Sequence, residues 1–363
     1  LNYTKKKGHV FYNTLILATL FILIGFSTWL MLPIRANANT PINENKPSDA
    51  AEVLAYYNRE QYGEQKLFYG PQFSDTYAGL DPETPYLDGK PNYERDYKTG
   101  KYIITNNFKN ATQNTDDAHK ALLPRMWSNE HNVNYMTFGE PLDFRINPEY
   151  SHEDELVQIV TDFRKAYATG EVDLKGYDKF LKTYGEYLIV DKPSFATNMK
   201  FMFQYQFGYM YMRYLLWNFV GRQNDEQGKY EDLKGNWITG IDVIDEFFIG
   251  SQKNLPSDIA NNKARNIYFG IPFILALIGL IFHAKRDIKS FYVLLVLFLF
   301  TGLALKIYLN ERPFEPRERD YALVGSFYVF AMWIAFGIYA IFDWIKQYLA
   351  PKVAIPVVLV VCL

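Results

Sequence analysis

Apolar residues run without a formal charge from Tyr12 to Ile34, give way to a largely polar stretch over 36–265, and return in Asn266–Phe282, Ser290–Leu305 and Ala322–Phe342. At a helical rise of 1.5 Å per residue the first run covers about 34 Å, enough to cross a bilayer core. A signal peptide is the competing reading, because Lys5–Lys7 precede the run and Ala36 and Ala38 follow it. The run is longer than a signal core of roughly 7–15 residues, and further apolar runs follow, so a span is the better expectation. The last run, Val353–Leu363, stops at the final residue, and the chain does not begin with Met, so the sequence reads as a fragment.

The pattern predicts three regions: a cytoplasmic N-terminus and first transmembrane helix (1–35), an extracytoplasmic domain (36–265), and C-terminal transmembrane helices at 266–283, 290–309 and 322–344 with a truncated one at 353–363. The sides follow from basic residues in short flanking segments. Lys5–Lys7, Lys285, Arg286, Lys289, Lys346 and Lys352 all fall on one side when the spans alternate, which leaves 36–265 and the connection 310–321 on the other. The expected fold is thus a polytopic α-helical membrane protein with a large mixed α+β extracytoplasmic segment.

Inside that segment, Ser48 reads as the N-cap of a helix with Ala51, Leu54, Ala55 and Tyr62 on one face. Tyr-, Asn- and Gly-rich sequence over 70–145 predicts short strands such as Lys101–Thr105 and Val133–Phe138, and helices follow at Asp154–Thr169 and Gly176–Tyr184. The stretch 197–220 is ambiguous. Aromatic residues alternate from Phe201 to Tyr211 as in a strand, yet the length and the polar stop after Val220 argue a helix. Lys200 and Arg213 make a full span costly, so an interfacial aromatic helix is expected.

Composition narrows the chemistry. With 38 Lys+Arg against 40 Asp+Glu and a net charge of −2, no nucleic-acid partner is expected. The lone Cys362 supports neither a disulfide framework nor a cysteine zinc site, and the five histidines form no HExxH pair. Phosphate-loop and nucleophile-elbow motifs are absent from the sequence. The densest charge lies in Glu311–Tyr321, where seven of eleven residues are ionisable as Asp, Glu or Arg and Pro313 and Pro316 stiffen the backbone. Guanidinium groups bind phosphate through paired hydrogen bonds, which nominates Arg317 and Arg319 as a lipid-phosphate clamp. Glu315, Glu318 or Asp320 would orient them, hold a divalent cation or accept a proton. The same letters also describe a salt-bridge cluster that locks two helices together. In Trp217–Gly228, Trp217, Arg222 and Asp225 have side chains suited to stacking on and hydrogen-bonding a sugar or acceptor, while a helix cap running into a polar loop explains the segment equally. The pair Arg59 and Glu60 reads as surface decoration.

Four segments carry a resemblance: 35–63 (RANANTPINENKPSDAAEVLAYYNREQYG), 214–228 (YLLWNFVGRQNDEQG), 235–242 (GNWITGID) and 308–337 (YLNERPFEPRERDYALVGSFYVFAMWIAFG). In order and combination they resemble a bacterial family of multispanning membrane proteins, long filed as a domain of unknown function and now grouped with protein O-mannosyltransferase-like glycosyltransferases of the GT-C type. The resemblance implies a GT-C-like enzyme of the bacterial inner membrane with its large loop in the periplasm. Such an enzyme takes a sugar, mannose in the first instance, from a polyprenyl-phosphate carrier and passes it to an acceptor protein or glycan. It also implies Arg317 and Arg319 at the lipid phosphate, with Asp320 or Glu318 beside them as candidate catalytic carboxylates. Enzymes of this type carry an acidic motif in the first extracytoplasmic loop, and members of the family have several spans before the matched region. This chain has one, so the general base is expected outside it. The rival expectation is a non-catalytic, membrane-anchored envelope protein that binds a glycan or protein partner.

Overall fold

A computed structural model of the chain describes residues 1–58, 60, 66–87, 89, 92–106, 112–315 and 320–362. They fall into two compact units, residues 1–65 with 86–113, and residues 66–85 with 114–363. Strands are short and pair antiparallel in twos: β1 (Tyr69–Pro71) with β6 (Lys120–Leu122), β2 (Tyr86–Leu87) with β5 (Thr112–Gln113), β3 (Asn92–Arg95) with β4 (Tyr102–Asn106), β7 (Phe144–Ile146) with β8 (Leu188–Val190), and β9 (Gly221–Arg222) with β10 (Asn266–Ile267).

In the first unit a short α1 (Asn2–Lys6) precedes α2 (Val10–Asn37), an apolar helix long enough to cross a membrane and with none of its apolar window buried in the protein. The next helix, α3 (Ala50–Tyr57), is capped by Asp49 and not by the expected Ser48. Asp49 accepts from the amides of Ala51 and Glu52, and Glu52 reaches back to the Ser48 and Asp49 amides, so the box closes one residue later than the Ser suggests. Tyr62 lies outside the described residues. The Tyr57 ring stacks on Trp29 at 4.7 Å and its hydroxyl donates to the Trp29 carbonyl. The strand expected over Lys101–Thr105 is observed as β4.

The second unit holds two cores. The first is aromatic, gathered by α4 (Asp75–Ala78), α5 (Asn132–Phe138), α6 (Asp154–Ala168), α7 (Leu174–Tyr184) and the start of α8 (Phe195–Phe219). Segment Val133–Phe138 is helix, contrary to the strand expectation, because its buried members Asn132, Tyr135, Met136 and Phe138 follow helical and not alternating spacing. The amphipathic α6 and α7 match expectation; Asp173 caps α7, and Phe163 and Phe180 stack face to face at 3.6 Å across the two helices.

Helix α8 links this core to the second. It runs as α-helix over Phe195–Phe201, as π-helix over Met202–Met212 and as α-helix again over Arg213–Phe219. The ambiguous aromatic stretch is therefore helical. Phe201, Tyr205 and Tyr209 belong to the aromatic core, while Leu215 and Phe219 join a second cluster with Ala276, Val329, Phe330 and Trp333.

After α9 (Asp242–Ile249) and α10 (Ser257–Ala260) come α11 (Ile271–Arg286), α12 (Ile288–Leu309, π-helical over Phe300–Ala304), α13 (Val324–Ile345) and α14 (Pro351–Cys362). Together with α2, Ile288–Leu309 and Tyr321–Ile345 are the helices long and apolar enough to span a membrane among the described residues. The expected span at 266–283 is shortened. Asn266 and Ile267 are claimed by β10, and Gly270 turns the chain with φ +67° before Pro272 opens a 16-residue helix. Helix α11 lies parallel to α13: Phe273 meets Phe330, His283 meets Phe336, and Arg286 stands 3.6 Å from Asp343. Gly279 and Gly337 let the two backbones touch, since a Cβ on either would overlap the partner helix's main chain.

Candidate functional site

The charged turn begins inside α12. Lys306, in the last turn of α12, is buried against Glu311, with Nζ 2.5 Å from Oε2 and both side chains 2% exposed. A lysine so placed must be paired, because an unpaired ammonium out of water is costly. Asn310 ends the helix in the left-handed region (φ +42°) and ties it to the aromatic core. Its Nδ2 donates to the Pro124 carbonyl, its Oδ1 accepts from Gln206 Nε2, and its carbonyl accepts from Trp127 Nε1. Arg125, also fully buried, donates to the carbonyls of Ile307 and Leu67. Desolvation lowers its pKa, and the last-turn carbonyl of α12 is the negative end of a helix dipole suited to a cation.

Beyond Glu311 the turn continues against the same core. Arg312 reaches Glu130 at 3.1 Å and Glu315 at 3.2 Å, and its guanidinium lies 6.0 Å from the Trp127 ring centre. Phe314 also adopts a positive φ, +56°, which turns its ring toward Phe138 and Tyr205 while its amide donates to the Tyr205 hydroxyl. The Glu315 carbonyl accepts from Gln227 Nε2. Residues 306–315 are thus keyed into the unit by bonds to three chain segments, 124–130, 205–206 and 227, and Glu311, Arg312 and Glu315 pair with Lys306, with Glu130 and with one another, tying the turn to the aromatic core and, among the described residues, not α12 to α13. Arg317, Glu318 and Arg319 lie outside the described residues, and of Asp320 only the backbone, the first residue of a 3-10 turn leading into α13, is described.

The second candidate cluster closes α8. The Arg222 guanidinium covers the Trp217 ring at 4.1 Å, Tyr214 stacks on the same indole at 5.4 Å, and Trp217 Nε1 donates to the Asn224 carbonyl. Asn224 and Gln223 are buried and bind Gly235 and Asn236 across the loop, while Asp225 is exposed. The Trp217 ring is therefore occupied from within the chain. One atom stands out: Arg222 Nε is buried without a hydrogen-bond partner among the described residues.

Elsewhere a cleft of about 140 Å³ opens between Phe73, Glu140, Asp143, Asp191 and Thr197. Among the described residues no group of three or more His, Cys, Asp or Glu side chains is arranged to hold a metal ion. Sequence reasoning missed Arg125, Asn310 and Lys306. Only Lys306 carried a signal, as a charge within an apolar run.

Residues 63–203 match the model of a family of unknown function (DUF8416). The match covers most of the aromatic core, ends at Phe203, the second residue of the π-helical part of α8, and stops before the C-terminal helices. No curated protein and no solved structure matches the chain.

Proposed function

We propose that this chain is part of an integral-membrane glycosyltransferase that moves a sugar, mannose in the first instance, from a polyprenyl-phosphate carrier to a protein Ser/Thr hydroxyl or a glycan on the far side of the bacterial inner membrane. The observation that supports the reading is the anchoring of 306–315. Two helices able to span a membrane are joined by a connection whose first half is buried and immobilised, and Arg317 and Arg319 follow in sequence before the second helix begins. A pair of arginines that falls in sequence between two membrane-length helices suits the phosphate of a lipid carrier. In this reading a carboxylate removes the acceptor hydroxyl's proton, the oxygen attacks the anomeric carbon, and the lipid phosphate leaves toward the arginines. Asp320 or Glu318 orients them; Arg222, Asp225 and Trp217 are the weaker candidates for sugar or acceptor contact.

The test compares membranes holding the complete open reading frame with membranes holding this chain, each given radiolabelled polyprenyl-phosphate mannose and envelope proteins. Transfer by the longer protein, lost in Arg317→Ala at unchanged expression and thermal stability, is the expected result. Full transfer by a well-folded Arg317→Ala protein removes the assignment. A second reading, a membrane-anchored binding protein without catalysis, is favoured by the structural use of Glu311, Arg312 and Glu315, and absence of transfer with every carrier sugar tried would select it.

A further inference from the structure

Helix α9 gathers four apolar residues on one side, with Ile249, half-buried, the one apolar residue on the other and Phe248 packed at 5.2 Å on Trp237. At about 100° per residue, Val243, Ile244, Phe247 and Phe248 fall within an arc of about 140°, and Asp242, Asp245 and Glu246 lie opposite. The polar face is bound to the protein. Asp245 is buried and accepts from the Thr239 amide and hydroxyl and from the Gly240 amide, and Asp242 pairs with Lys253 at 3.3 Å. The apolar face is left open: Val243 is 81% and Phe247 83% exposed. A soluble protein rarely displays two such residues together on one rigid helix.

The helix is also held at a defined depth. Gly240, just ahead of it, packs on Ile267 and Phe269, the residues that lead directly into α11. Exposed Tyr308 and Tyr328 on α12 and α13 mark the same end of the helical bundle, as Tyr292, Trp344 and Tyr348 mark the other, where Arg286, Lys289 and Lys346 cluster. From Tyr328 to Trp344 and from Tyr292 to Tyr308 the chain advances about 24 Å at 1.5 Å per residue, as does α11 with its 16 residues. On α12 and α13 the exposed aromatic residues thus bracket about 24 Å, somewhat less than the roughly 30 Å of a bilayer core, and mark where its boundary falls on the bundle. Phe269 lies at that boundary, and α9 beside it.

We infer that α9 is a monotopic membrane anchor, lying in the headgroup region with Val243, Ile244, Phe247 and Phe248 in the lipid, and that it sets the height of the aromatic core above the bilayer. The occupant of the open face is lipid, because exposed Phe269, next to Gly240, and exposed Ile271 lead into the exposed apolar residues Ile274, Leu277 and Ile281 of α11, the helix packed on the membrane-length α13. The inference is independent of the proposed enzymatic activity; it rests on the open face of α9 and on the membrane-length helices.

The test places single cysteines at Val243, Phe247 and Glu246 in the full chain with Cys362→Ser, labels each with an environment-sensitive fluorophore, and reconstitutes the protein in phosphatidylcholine vesicles. All three positions are exposed, so the fold tolerates the changes. Labels at 243 and 247 are expected to be shielded from iodide and quenched by nitroxide-bearing lipids at a depth of about 5–10 Å below the headgroups, with the label at 246 open to iodide. Free iodide access at 243 and 247 in vesicles overturns the inference. So does shielding that disappears on diluting the protein in lipid, which would mean that a second copy, and not the bilayer, covers the face.

Discussion

Replacing Glu311 by Leu leaves the Lys306 ammonium buried with no carboxylate. At 2.5 Å the pair attracts by about 7 kcal/mol even at an effective dielectric of 20. That attraction is largely offset by the cost of taking both ions out of water, so the pair as a whole contributes little against an apolar substitute, whereas a single charge left behind costs about 3–5 kcal/mol. The predicted outcome is a double-mutant cycle with strong coupling: Glu311→Leu and Lys306→Met each lose about 3–5 kcal/mol, and the double variant Lys306→Met/Glu311→Leu returns to within about 1–2 kcal/mol of the parent. Denaturant unfolding of the detergent-solubilised chain followed by tryptophan fluorescence measures it, and Trp127, bonded to the Asn310 carbonyl, reports from the junction itself. Single variants that lose less than about 1 kcal/mol, or a double variant as unstable as the sum of the singles, would refute the claim that the two charges are desolvated and mutually dependent.

Burial pushes the Asp75 carboxyl up to about 6, and its Oδ1 has no hydrogen-bond partner among the described residues. Since the folded-state pKa is the higher, stability is fully present below about pH 4 and is lost as pH rises through about 6, by less than about 3 kcal/mol because the residue keeps some solvent contact. Asp75→Asn should flatten that slope in unfolding measured from pH 4 to 7, and an unchanged slope would assign it to another group. Gly337→Val should separate α11 from α13 and lower the unfolding midpoint by the equivalent of at least about 2 kcal/mol, whereas wild-type stability would mean that the helices do not meet at Leu275. Asn310→Ala should destabilise more than Asn310→Gly by about 1–2 kcal/mol, because both lose the bonds to Pro124 and Gln206 but only Ala is strained at φ +42°. Equal losses would place the whole effect in the side chain.

What could be read from the sequence was what local composition dictates. The apolar runs became Val10–Asn37, Ile288–Leu309 and Tyr321–Ile345 because membrane-crossing helices need only a window of apolar residues, and α6 and α7 followed from a period that neighbouring residues express by themselves. Tertiary structure decided the rest. Asn132–Phe138 became a helix because the aromatic core buries Tyr135 and Phe138, a preference that seven residues cannot reveal alone. The span expected at 266–283 lost its first turn to a strand partner, Gly221–Arg222, more than forty residues away in the chain. The candidate turn divided the same way. Its charge density and prolines were visible as letters, but the burial of Lys306 and Glu311 and the bonds from Arg125, Trp127 and Gln206 to residues 307–311 join positions over a hundred apart. Hydrophobicity is a property of each residue and survives in the sequence; desolvation and pairing belong to the neighbours that folding brings, and only the folded chain specifies them.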